Sequence, residues 1–138
     1  MSAPLHSGDA LLDRQAGYLH WLLRTPLALV MLYHGVDHWL GGPAAFADNL
    51  SLPVAIAVLV AGLEILSGAA LLLGAWLGGW VTRLGSAAAL PVLIGAIFMV
   101  HWGQWHFLPS PSHPLGGLEF QATLTCLAIY LLVRGNEV

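Results

Sequence analysis

The chain has 138 residues, of which 58% are hydrophobic and 8% charged, and its mean hydropathy is +0.79. An average soluble domain carries about a quarter charged residues, so these figures exclude an ordinary water-soluble globule and point to a bilayer as second solvent. The net charge of -3 sets seven acids against four basic residues, all arginine, which leaves no basic patch for nucleic acid, and the lone Cys126 excludes an internal disulfide.

Residues 1–17, MSAPLHSGDALLDRQAG, are polar and lack the basic start, apolar centre and small-residue cleavage site of a signal peptide. They read as a cytoplasmic tail with a short interfacial helix over 10–16. The first apolar span covers about 18–40 and is interrupted by Arg24; Pro26 is expected in its first turn, where a missing N–H costs little. GGPAAFADNLS reads as a loop. The second span, about 52–74, carries one acid, Glu64, and AWLGGWVT turns the chain toward Arg83. Pro91 in the third span, about 84–102, is expected to kink it. HWGQWHFLPSPSHPLGG follows, and its prolines predict a stiff, extended segment over the mouth of the helices. The fourth span, about 117–133, ends at Arg134.

These runs are too long and too rich in Leu, Ala and Gly for strands. The expected fold is all-α: a transmembrane four-helix bundle occupying residues 18–134. Arg14, Arg24, Arg83 and Arg134 all fall on one side of four spans. The excess of arginine on cytoplasmic faces therefore puts the N and C termini in the cytoplasm of a multi-pass inner-membrane protein. Trp21, Trp76 and Trp80 fall near one boundary and Trp39, Trp102 and Trp105 near the other, as aromatic belts do.

Ionisable groups inside a span are costly and usually face an interior, paired with one another. At the rise of an α-helix, His34 lies roughly 15 Å beyond Arg24 and His38 one turn higher on the same face. Glu64 lies roughly 18 Å below Leu52, close to the level of His34, and Glu119 roughly 22 Å from Arg134, close to that of His38. A polar column is thus expected, His34 with Glu64, then His38 with Glu119 and with His101 at the outer edge. Three readings compete: a buried pair that fixes helix register; a copper or zinc site using His34 and His38 with His101, His106 or His113; and a quinone-head site in which a histidine donates to a carbonyl and a carboxylate relays the proton, built from His34, His38, Glu64 and Glu119.

Arg24 followed by LALVMLYHGVDHWLGGPAAFADNLSLP resembles the opening of DoxX-family membrane proteins. They show an arginine, an apolar run, a His-Gly pair, a basic residue three positions on and a loop ending in Leu-Pro; here these are Arg24, His34-Gly35, His38 and Leu52-Pro53. VLVAGLEILSGAALLLGAWLGGWVTRLGS and GGLEFQATL resemble the second and fourth spans of the same family, so the resemblance covers roughly Arg24 to Arg134. His38 stands where the family usually has lysine, and Asp37, His101, His106 and His113 are additions.

The resemblance implies a four-helix membrane fold. Some members are subunits of a thiosulfate:quinone oxidoreductase, and others are linked to oxidative-stress complexes or metal-related pathways. It therefore implies a small, quinone-linked subunit that serves membrane or periplasmic redox partners within the lipid bilayer, rather than an enzyme complete in itself. The rival expectations are a metal-binding membrane protein and an assembly subunit without ligand, and a homo-oligomer is compatible with each.

Overall fold

A computed structural model describes the backbone of residues 7–137 and the side chains of residues 18–137. Among the described residues the chain is all-helical: α1 (Ser7–Leu40), α2 (Pro43–Leu50), α3 (Val54–Leu77), α4 (Gly79–Ala96), a π-helical turn (Ile97–His101) and α5 (Glu119–Arg134). An isolated bridge joins Ser110 and His113.

The long helices run antiparallel in chain order. Gly35 of α1 lies against Glu64 and Ile65 of α3, and Leu32 lies against Gly68. Further down the pair, Trp21 meets Trp76 edge-on at 5.2 Å. α3 reverses into α4 through one residue, Gly78, at φ 118°, a conformation costly for a residue with a Cβ. Past the turn, Ser67 Oγ donates to the Gly85 carbonyl at 2.9 Å. α5 returns along α4 and also touches α1. One core results, built from Leu27, Ala28 and Met31 of α1, Leu71 of α3, Ala89 and Leu93 of α4, and Leu124, Ala128 and Leu131 of α5.

Two of these segments are long and apolar enough to cross a membrane, Val54–Leu77 and Gly79–His101, of 24 and 23 residues. From Trp80 to Trp102 the α4 segment rises about 33 Å, close to the hydrocarbon thickness of about 30 Å. Their outward faces carry Leu59, Leu66, Leu73, Leu84 and Phe98, all exposed, a surface suited to lipid. α1 mixes Arg24, His34, Asp37 and His38 into its apolar run, and α5 has 16 residues.

Several expectations are corrected. α1 runs unbroken from Ser7, so no separate helix forms over 10–16, and Pro26 sits deep inside a 34-residue helix rather than in a first turn. The loop after α1 holds a helix, α2, because Gly42 at φ 93° turns the chain and Pro43 starts a helix at its first position; Ser51 at φ 54° ends it. Residues 102–118 are not extended. They fold back on themselves, with Gln104 Nε2 donating to the carbonyls of His106 and Leu108 at 3.0 and 2.7 Å and the backbone N–H groups of Gly117 and Leu118 donating to His106 and Gln104. The glycines of this turn let strand-like backbone pass where a side chain has no room: a Cβ on Gly117 would run into the Gln104 and His106 carbonyls.

Candidate functional site

A cavity of about 670 Å³ opens between the Leu40 end of α1, the first turns of α3, the last turns of α4, the π-helical turn and the start of α5, with α2 across it. Its walls are mostly apolar, with Met31, Leu52, Val60, Leu93, Met99 and Phe120 among them, and into them are set His34, Asp37, His38, Glu64, His101 and Gln121.

Its central polar contact joins α1 to α3. His38 Nδ1 lies 2.8 Å from Glu64 Oε2, and the Glu64 side chain is only 6% exposed. A carboxylate accepts and cannot donate, so the ring donates its Nδ1–H, and in the neutral ring the lone pair is on Nε2. Phe46 of α2 stacks flat on the same imidazole, ring centroids 3.8 Å apart and planes 9° from parallel. The ring is therefore held by a carboxylate at one edge and an aromatic plane on one face, which fixes both its tautomer and its tilt. His34, one turn below on α1, has its ring 5.9 Å from that of His38 and makes no bond to Glu64.

The opposite wall carries a second histidine. The π-helical turn widens the end of α4 and carries the buried His101 at its last position. His101 Nδ1 lies 2.9 Å from the Gly116 carbonyl and so donates to it. Its Nε2 then accepts from Gln121 Nε2 at 2.8 Å. That bond fixes the orientation of the Gln121 carboxamide, whose Oε1 is buried without a partner.

The expected column is partly redrawn. His34, His38, Glu64 and His101 do line one cavity, but Glu64 takes His38 rather than His34, because antiparallel packing sets residue 64 nearer the higher of the two histidines. Glu119 does not meet His38. As the first residue of α5, it accepts from the Phe107 backbone N–H at 3.2 Å and ties down the loop. His106 is exposed on that loop, and His113 Nε2 donates to the Trp102 carbonyl at 2.7 Å. Among the described residues no three His, Cys, Asp or Glu side chains converge as metal ligands would, so His34, His38, His101 and His106 do not form a ready copper or zinc site.

Gln121 and Phe46 escaped the sequence reading. Gln121 carried a usable signal, a carboxamide inside an apolar span; Phe46 carried none, since only the fold of α2 brings it over His38.

A family model described as DoxX matches residues 19–102, which includes the last two-thirds of α1 and all of α2, α3, α4 and the π-helical turn. No curated protein and no solved structure matches the chain significantly.

Proposed function

Because the chain belongs to the DoxX family, we propose that it is an inner-membrane protein crossing the bilayer four times, through α1, α3, α4 and α5, and binding a small quinone-type molecule in its cavity on behalf of a redox partner. Supporting the topology, Arg24, Arg83 and Arg134 lie at the end of the helices where α3 turns into α4 and where α5 finishes, with Arg83 Nη2 donating to the Val133 carbonyl at 3.3 Å. That end is the cytoplasmic one on the arginine rule, so the cavity opens toward the periplasm.

The observation that carries the ligand reading is the buried Glu64–His38 pair on an apolar cavity wall. Burying a carboxylate in such surroundings is expensive and is offset by a charge-assisted hydrogen bond. The pair leaves one imidazole nitrogen able to take or give a proton at the cavity while the Nδ1 proton stays with Glu64. The apolar lining, with Phe46, Met99 and Phe120 among it, suits an aromatic ring, and the polar side chains set into it suit the oxygens of such a ring.

Two variants test this. Glu64→Gln keeps an acceptor for His38 but removes the charge, and should weaken binding of a short-tailed quinone or hydroquinone about tenfold, as loss of a charge-assisted hydrogen bond does. Gly95 lines the cavity, and a Cβ there meets nothing within 4 Å. Gly95→Leu should therefore occupy the ligand's space and abolish binding, while thermal stability holds or rises because a helix-interior glycine is relieved, worth about 1 kcal/mol. Equal ligand binding in wild type, Glu64→Gln and Gly95→Leu would sink the reading.

A further inference from the structure

We propose that the cavity selects the reduced, hydroxyl-bearing form of its ligand, an aromatic diol, over the oxidised dicarbonyl. The inference rests on the cavity reading above and follows from counting which polar groups still need a partner.

On the α1–α3 wall, Glu64 is an acceptor throughout, and His38 has committed its Nδ1 proton to it. The remaining His38 nitrogen, in the neutral ring, is an acceptor as well. Asp37, also on the cavity, adds a carboxylate. On the facing wall, His101 spends its one proton on the Gly116 carbonyl and its lone pair on Gln121. Gln121 has thereby committed its amide N–H₂ to His101 and is left with Oε1, a buried acceptor with no donor. His34 and Asn49 each offer a donor and an acceptor and do not discriminate. Among the described residues no lysine or arginine lines the cavity.

The anchors on the two walls are thus matched in kind: each awaits a hydrogen-bond donor. A molecule with hydroxyls at both ends of an aromatic ring satisfies both. Its oxidised counterpart offers only acceptors and would set carbonyl oxygens against a carboxylate and an amide oxygen, leaving buried groups unpaired, which sites built for a donor reject strongly. The absence of a cation on the walls argues equally against an anionic ligand.

The test compares three probes of nearly equal shape on the full chain in lipid nanodiscs under argon: trimethylhydroquinone, trimethyl-1,4-benzoquinone and the dimethyl ether of the hydroquinone. Equilibrium dialysis, corrected with empty nanodiscs, reads the affinities. The hydroquinone should bind at least about tenfold more tightly than the other two, the ratio expected for one unpaired buried group. Gln121→Met should lose about tenfold for the hydroquinone and leave the quinone unchanged. If the wild-type protein binds hydroquinone and quinone equally, or the quinone more tightly, the selectivity proposal is overturned while the cavity reading stands. If none of the three binds, the cavity reading itself falls and takes this one with it.

Discussion

Replacing Arg24 by alanine is expected to destabilise the protein by about 3–5 kcal/mol, the range of large-to-small changes at fully buried sites. Arg24 is 0% exposed. Its Nη1 donates to the Leu71 carbonyl at 2.9 Å and to Thr82 Oγ1 at 3.3 Å, and its Nη2 donates to Asn136 Oδ1 at 2.7 Å. Its guanidinium carbon also lies 5.5 Å from the centre of the Trp21 ring. One side chain of α1 therefore grips α3, α4 and the segment that follows α5. Asn136 completes the knot, donating from Nδ2 to the Gly74 carbonyl at 2.9 Å while Thr82 Oγ1 donates to its oxygen at 2.7 Å.

The cost of burying the cation works against these bonds and decides which variant is informative. Desolvating a charge costs several kcal/mol, so a residue that fills the same volume without charge recovers part of the loss. Arg24→Met should accordingly be milder than Arg24→Ala, by about 1–2 kcal/mol, because it avoids the void but still gives up the bonds. Arg24→Lys reaches only one acceptor where the planar fork reaches three, and should fall between them. Denaturation in mild detergent measures the order. Carboxypeptidase trimming supplies an independent reading: with Arg24 gone, Asn136 loses a charged partner and the C-terminal residues should be removed faster than in the wild type. Unchanged stability together with unchanged trimming in Arg24→Ala would show that the knot contributes nothing.

Arg24 also shows where the sequence could be read and where it could not. Its place in the chain marks one boundary of an apolar span, which hydropathy and the arginine asymmetry reveal. That it is buried and bound to Asn136 cannot be read at all, because the partner lies 112 positions away and is brought near only by three helix reversals. The same division holds at the cavity. Helix rise sets Glu64 close to the level of His34, with His38 one turn higher, since depth depends on counting residues from a boundary. Which histidine meets Glu64 depends on the stagger between α1 and α3, set by close packing at Gly35 and Gly68 and not encoded in spacing. Glu119 was placed by depth alone, yet its side chain turns to the Phe107 N–H because it begins α5 beside a loop whose folded shape no hydropathy pattern conveys. The helix α2 was hidden for a related reason: PAAFADNL looks like loop composition, and it becomes helical under a proline start with Ala47 buried among the long helices.

The contact that sets that stagger yields the second large effect. A Cβ built on Gly68 would lie 2.7 Å from the Ala28 carbonyl oxygen and 3.0 Å from the Leu32 nitrogen, both backbone atoms of α1. One on Gly35 would lie 2.8 Å from the Ile65 nitrogen and from Glu64 Cβ. The two glycines thus face each other's helix and let α1 and α3 approach closely, the role small residues take between membrane helices. Backbone cannot rotate aside as a side chain can, so the helices must separate. Gly68→Ala is expected to cost about 1–3 kcal/mol as overpacking does, and Gly68→Leu more. The functional consequence is sharper than the loss of stability. The His38–Glu64 bond spans the same pair of helices at 2.8 Å, and a separation of half an ångström or more carries it past about 3.2 Å, where such a bond weakens steeply. Gly35→Ala, adjacent to that bond, should therefore lower ligand affinity more than Gly68→Ala does, although Gly68 meets the tighter obstruction. Measuring both properties on both variants separates the effects. If affinity followed stability alone, the geometry of the His38–Glu64 pair would have no part in binding.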